Sequence, residues 1–283
     1  MLPPVIKLMR PKQWVKNVFV FPPVLFSGSF LEAETLLSIG TAFFLFCVAS
    51  SATYILNDLG DIDADRLHPT KRFTRPLAAG TVSKRTAQIL LLGLYSILVG
   101  AIIYTPNLML VIGAYIALNW AYSLYLKHQP VLDIFTIAVG FVLRVYAGAV
   151  AIDVPLSGWM FVTAMCLALY LASIKRRQEL INSGEQARGV LKQYNLNLID
   201  RYAEMSATGA LMFYSMFVIS AKPDLVFSIP FVLYGIYRYW FIVDVKEEGE
   251  SPTDVLYKDP QLILTIMGWA SICLYSLWPE VKS

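Results

Sequence analysis

Asn57-Asp58-Leu59-Gly60-Asp61-Ile62-Asp63-Ala64-Asp65-Arg66-Leu67-His68-Pro69-Thr70-Lys71-Arg72 begins where an apolar run over 36–57 ends. An acidic cluster joined directly to a run long enough to cross hydrocarbon marks the end of a membrane span, not the surface of a soluble domain. Composition agrees. Only 15% of the 283 residues are charged and 57% are hydrophobic, with a mean hydropathy of +0.58. A soluble domain is nearer a quarter charged. Disorder is excluded, because it needs low hydrophobicity.

Further runs of about 20 apolar residues predict an all-α, polytopic bundle of nine transmembrane helices in one domain over 1–283. The predicted spans are 14–30, 36–57, 85–104, 107–126, 131–152, 157–175, 204–221, 226–244 and 260–279. The first is interrupted by Lys16, Pro22 and Pro23. All of the 23 Lys and Arg residues except Arg144, Lys222 and Lys282 then fall on one side. The positive-inside rule makes that side, with the N-terminus, cytoplasmic. The longer connections, 58–84, 176–203 and 245–259, form caps there, and the expected location is the plasma (inner) membrane. Arg188, Lys246, Glu280 and Lys282 belong to this charge census.

No Cys pair has CxxC spacing, and His68 and His128 are the only histidines. This argues against a zinc, haem or iron–sulfur centre. A net charge of +3 gives no reason to expect a nucleic-acid partner. No GxxxxGK[ST] loop is present.

On a continuous helix, with Asn57 at zero, Asp61 falls near about 40°, Asp65 near about 80° and Asp58 near about 100°. Four oxygen-bearing side chains thus share one face, and Asp63 lies on the other. Carboxylates this close repel, and a divalent cation relieves them. Hard oxygen donors favour Mg2+ (Mn2+ as its substitute), with substrate phosphate as a further ligand. The other reading is a solvated helix end salt-bridged to Arg66, Lys71 and Arg72. Lys71, Arg72, Arg75, Lys175 and Arg176 suit phosphate oxygens, or form a basic collar. Glu179 shares a face with Lys175 and is within reach of a second metal. Tyr122 and Lys127 end the fourth span, as phosphate contacts or as interfacial anchors. Arg144 lies mid-span, where a charge costs at least about 2.5 kcal/mol. It either pairs with an Asp such as Asp133 or binds an anion in a cavity.

Asn57-Asp58…Asp61…Asp65 at the end of the second span resembles the first aspartate-rich motif of the UbiA superfamily of intramembrane prenyltransferases. Tyr122 and Lys127 are similar to its Tyr/Lys motif. Where that family carries a second D-x-x-x-D, this chain reads Lys175-Arg176-Arg177-Gln178-Glu179. That variant resembles the branch whose members transfer phosphoribose to decaprenyl phosphate. So do Arg10-Pro11-Lys12-Gln13-Trp14-Val15-Lys16-Asn17, Arg75-Pro76-Leu77-Ala78-Ala79-Gly80, Gly140…Arg144 and Gly235…Arg238-Tyr239.

The resemblance implies a nine-helix fold and an Mg2+-dependent transferase. It would join 5-phosphoribose from phosphoribosyl pyrophosphate to a polyprenyl phosphate and release pyrophosphate. Asn57, Asp58, Asp61 and Asp65 are then candidate metal ligands, with Asp61 and Asp65 the candidate catalytic pair. Lys71, Arg72, Lys127 and Lys175 supply fixed positive charge. Arg144 and Lys16 bind either the acceptor phosphate or the 5-phosphate. The partners are the two substrates and the bilayer, and a homo-oligomer is compatible. The rival functions are an aromatic prenyltransferase using a prenyl diphosphate, and a transporter.

Overall fold

The computed structural model describes residues 3–68, 70–183, 189–245 and 258–278. Pro69, Arg188, Lys246, Glu280 and Lys282 lie outside the described residues, as does the end of the 260–279 range.

Among the described residues all regular secondary structure is helical. After the short α1 (Pro4–Leu8), a 3-10 helix spans Pro11–Val20 and α2 spans Pro22–Ser27. One straight helix over 14–30 does not form. Pro22 and Pro23 lack the N–H groups that would continue it, and Gly28, at φ 82°, ends α2 in the left-handed region. The long central helix α3 (Ala33–Gly60) follows. The loop after it carries α4 (Ile62–Leu67) and α5 (Lys71–Thr74).

Next come α6 (Lys84–Ala101), α7 (Pro106–Leu124), α8 (Leu132–Ala151), α9 (Gly158–Ser183) and α10 (Leu196–Ala221). A 3-10 turn, Pro223–Ser228, leads into α11 (Ile229–Val245), and α12 is Pro260–Ser276. Pro106 and Pro260 open their helices at the first position, where no N–H is needed. Ser83, Asn195 and Asp259 cap α6, α10 and α12 through their side chains. α9 runs past the expected end at 175 and carries Lys175–Glu179 on its last turns.

Among the described residues, five segments are long and apolar enough to cross a membrane. They are Ala33–Gly60, Pro106–Leu124, Leu132–Ala151, Gly158–Asn182 and Pro223–Val245. Outward-facing Leu37, Leu92, Ile103 and Leu110 are strongly exposed, as a lipid-facing surface requires. α3 is buried because Ala42, Ala49, Ser50, Ser51 and Ala52 let neighbours approach its backbone.

The N-terminal 3-10 helix lies as a strap across α3 and α8. Trp14 Nε1 donates to Ser51 Oγ at 3.0 Å, and Asn17 Nδ2 to Ser50 Oγ at 3.2 Å. At Gly148 of α8 an added Cβ would sit 1.9 Å from the Val20 carbonyl oxygen. Only glycine allows the strap this close.

Candidate active site

α3 stops at Gly60. Asp61, at φ −99° and ψ 10°, is the joint to α4, although its N–H still reaches Asn57 O at 2.9 Å. The expected single face is therefore split. Asp58 and Asp65 turn inward and are buried, whereas Asp61 is exposed. Arg75 Nη1 donates to Asp58 Oδ1 at 2.8 Å and to Asp65 Oδ2 at 2.6 Å. Arg10 also bonds Asp58, and Lys71 Nζ stands 3.8 Å from Asp65 Oδ1. Asn57 Oδ1 accepts from Ser123 Oγ at 2.9 Å, joining α3 to the end of α7. The Asp61 carboxylate has no protein partner among the described residues.

Arg10 reaches Asp58 from a left-handed backbone (φ 54°) and stacks 4.7 Å over Tyr54. Such a conformation is costly for a residue with a Cβ. Arg72 instead turns outward onto the Phe73 ring, 4.4 Å away, and is exposed. It does not join the cluster. Lys127 is half-buried, with no protein partner among the described residues.

A second knot joins α7, α8 and α9. Arg176 is 2% exposed. Its Nε lies 2.7 Å from Asp133 Oδ2, Nη1 bonds Glu179, and Nη2 donates to Tyr122 Oη at 2.8 Å. Tyr194 Oη donates to Asp133 Oδ1 at 2.7 Å and accepts from Val131 N–H at 2.6 Å. Burial, together with the Asp133 carboxylate, pushes the Tyr194 phenol well above its ordinary range. Arg176, expected to take part in binding substrate, is here paired with two carboxylates. Tyr122 and Glu179 serve the same clamp. Lys175 stays partly exposed, 3.8 Å from Glu179, so Glu179, expected to be within reach of a second metal, is engaged by two cations.

The third group is deeper. Arg144 is 5% exposed. Its Nε donates to Asn17 Oδ1 at 2.8 Å, Nη1 to Gly140 O at 2.6 Å and Nη2 to Tyr115 Oη at 3.1 Å. The Tyr115, Phe141 and Phe46 rings lie 4.7, 5.3 and 5.8 Å from Cζ. Asp133 is not its partner. Eleven residues on one helix are about 16 Å of rise, beyond an arginine's reach.

Sequence reasoning missed Arg10, Asn17, Tyr115, Ser123 and Tyr194 as members of these clusters. Arg10 and Asn17 stand in the stretch 10–17 already singled out, and that was their signal.

Among the described residues, no three His, Cys, Asp or Glu side chains are grouped to hold a metal. Mg2+ does not require such a cage. It is commonly held by one or two carboxylates, waters and substrate phosphates. The exposed Asp61 carboxylate is a hard oxygen donor of the kind such a cation takes, whereas Asp65 and the Asn57 amide oxygen are engaged by Arg75 and Ser123.

The UbiA prenyltransferase family model matches residues 20–254. The decaprenyl-phosphate phosphoribosyltransferase of Mycolicibacterium smegmatis is 36% identical, covering 93% of this chain and 89% of its own. That of Corynebacterium glutamicum is 37% identical, covering 93% and 83%. A UbiA homolog from Archaeoglobus fulgidus, solved bound to GPP and Mg2+, matches with a TM-score of 0.72 at 18% identity, covering 99% of this chain and 100% of that one. The same homolog bound to Cd2+ gives 0.67 at 16% identity, covering 99% and 100%.

Proposed function

Because this chain belongs to the UbiA prenyltransferase family, we propose that it transfers 5-phosphoribose from phosphoribosyl pyrophosphate to a polyprenyl phosphate. The observation that carries the reading is the Lys175–Glu179 stretch. A prenyl diphosphate transferase would need a second set of carboxylates there. This chain has one, Glu179, and it is held by Arg176 and Lys175. The aromatic prenyltransferase reading is disfavoured for that reason. A transporter would need polar groups at matching depths from both sides, whereas the two carboxylate-bearing knots described above both sit at helix ends on one side, with only the Arg144 group deeper.

In the reaction an acceptor phosphate oxygen attacks C1 of the ribose as the bond from C1 to the pyrophosphate oxygen breaks. The electron pair leaves with pyrophosphate, and C1 is inverted. The acceptor is already an anion, so no general base is needed, which suits a chain with two histidines. When bound, Mg2+ supplies charge neutralisation for the leaving group. Asp61, Asp65 and Asn57 orient that end of the donor. Lys71 and Arg75 are poised beside Asp65 to exchange a carboxylate for phosphate oxygens. Lys127, half-buried near the end of α7, adds fixed charge. The reading places the full set of nine spans in a plasma membrane, with the aspartate-rich end cytoplasmic.

The test is incubation of the purified protein with polyprenyl phosphate, Mg2+ and labelled phosphoribosyl pyrophosphate. Label should enter the organic phase and EDTA should prevent it. Absence of EDTA-sensitive lipid label would sink the proposal.

A further inference from the structure

Among the described residues, every other arginine that is not exposed is salt-bridged to a carboxylate. Arg10 and Arg75 are held by Asp58, Arg176 by Asp133, Arg177 by Asp200 and Arg238 by Asp259. Arg144 is buried and has none. Its three hydrogen bonds go to neutral groups, and they use three of the five N–H groups of a guanidinium. Lys16 is next to Asn17, the residue that binds Arg144, and lacks a carboxylate partner too. The Asn17–Arg144 hydrogen bond brings the strap at Lys16 beside that guanidinium. A buried cation is normally paired; among the described residues buried Arg144 has no carboxylate partner, nor has half-buried Lys16 on the strap that binds it.

We propose that Lys16 and Arg144 form a metal-independent subsite for the phosphate monoester of the lipid acceptor. This deepens the phosphoribosyl-transfer reading and rests on it only for the lipid's identity. Two fixed positive charges match a phosphate monoester of about −1.5 to −2 at neutral pH. The surroundings choose between the two monoesters in the reaction. The 5-phosphate belongs to a sugar whose hydroxyls need polar partners, whereas Arg144 is walled by Phe46, Tyr115 and Phe141. Asn17 is fully buried while Val18, next along the strap, is 49% exposed on the outer side. One helix thickness therefore separates the cations from the lipid-facing surface, and a prenyl chain can stay in apolar surroundings while its phosphate is held. The donor's diphosphate keeps to the Asp61 end, where carboxylates are available for its cation.

The experiment is binding of a polyprenyl phosphate to the purified full chain by native mass spectrometry, in EDTA and without phosphoribosyl pyrophosphate. The uncharged polyprenol serves as control. The phosphate should bind despite EDTA, and at least about tenfold more tightly than the alcohol. Lys16→Met should remove about tenfold of that preference and leave polyprenol binding unchanged, and Lys16→Arg should restore it. In the complete reaction Lys16→Met should raise KM for the lipid and leave KM for phosphoribosyl pyrophosphate within about twofold. A raised KM for phosphoribosyl pyrophosphate instead would hand the subsite to the 5-phosphate and overturn the inference. Loss of lipid-phosphate binding in EDTA would overturn it as well, by moving the phosphate to the metal end. Lys16-dependent binding without any phosphoribosyl transfer would uphold the subsite and defeat the reaction, so the two failures are distinguishable.

Discussion

Arg144 and Arg176 are the same side chain at the same burial, 5% and 2% exposed, in opposite electrostatic settings. Arg176 is surrounded by Asp133 and Glu179 and ties three helices together. Arg144 is surrounded by an amide, a carbonyl, a phenol and aromatic faces. The first region has consumed its charge in holding the fold. The second keeps a net positive charge at a depth where charge is expensive, and that charge remains available to a ligand. Burial alone therefore does not tell a structural arginine from a binding one. The identity of the neighbours does.

The contrast can be broken most directly at Asp133. Asp133→Ala takes away one of the two carboxylates of buried Arg176 and leaves Glu179 alone to balance it; breaking a buried pair costs about 3–5 kcal/mol. The thermal midpoint in detergent should fall sharply. Asp61→Ala should do the reverse. Its carboxylate is exposed and unpaired, so stability should move by less than about 0.5 kcal/mol. Transfer should fall about 1000-fold, equal to ~4 kcal/mol of transition-state stabilisation. Asp65→Ala, which also frees Arg75 and Lys71, should lose both activity and stability.

Arg144→Met sharpens the comparison from the other side. Losing three hydrogen bonds is offset by removing an uncompensated charge, so the stability cost should be near 1 kcal/mol, with transfer about 100-fold slower. If it unfolds the protein as badly as Asp133→Ala, the two arginines are not different in kind. Gly148→Ala forces the strap off α8 and should cost about 1–3 kcal/mol by overpacking. The smallest effect is expected for Tyr194→Phe. It unpairs the Val131 N–H and one Asp133 oxygen for about 1–2 kcal/mol and leaves transfer intact.

Helix ends were legible where proline sets them, as at Pro106 and Pro260. The strap was not, because apolar periodicity cannot tell a 3-10 helix broken by Pro22 and Pro23 from the start of a span. At the site, the residue types concentrated at the end of α3 were legible and their partners were not. Asp133 is one of two partners the sequence leaves open for Arg144, the other being an anion, and it pairs with Arg176 on the next helix. Such choices depend on depth and on which helices are neighbours, and neither is encoded in local spacing. Arg72 shows the same limit. Its neighbours Lys71 and Arg75 turn in, while it turns out over Phe73.

The hydrogen bond between Asn17 and Arg144 joins residues 127 positions apart. Synthesis at about 5–20 residues per second makes that a wait of about 6–25 s. The strap is made early and can take its seat only after α8 has been made, so a segment near the beginning of the chain is among the later ones to dock. Until then Lys16 and Arg10 are without their native surroundings. Assembly of this site is thus timed by the production of a glycine, Gly148, and an arginine, Arg144, that arrive together on one helix face.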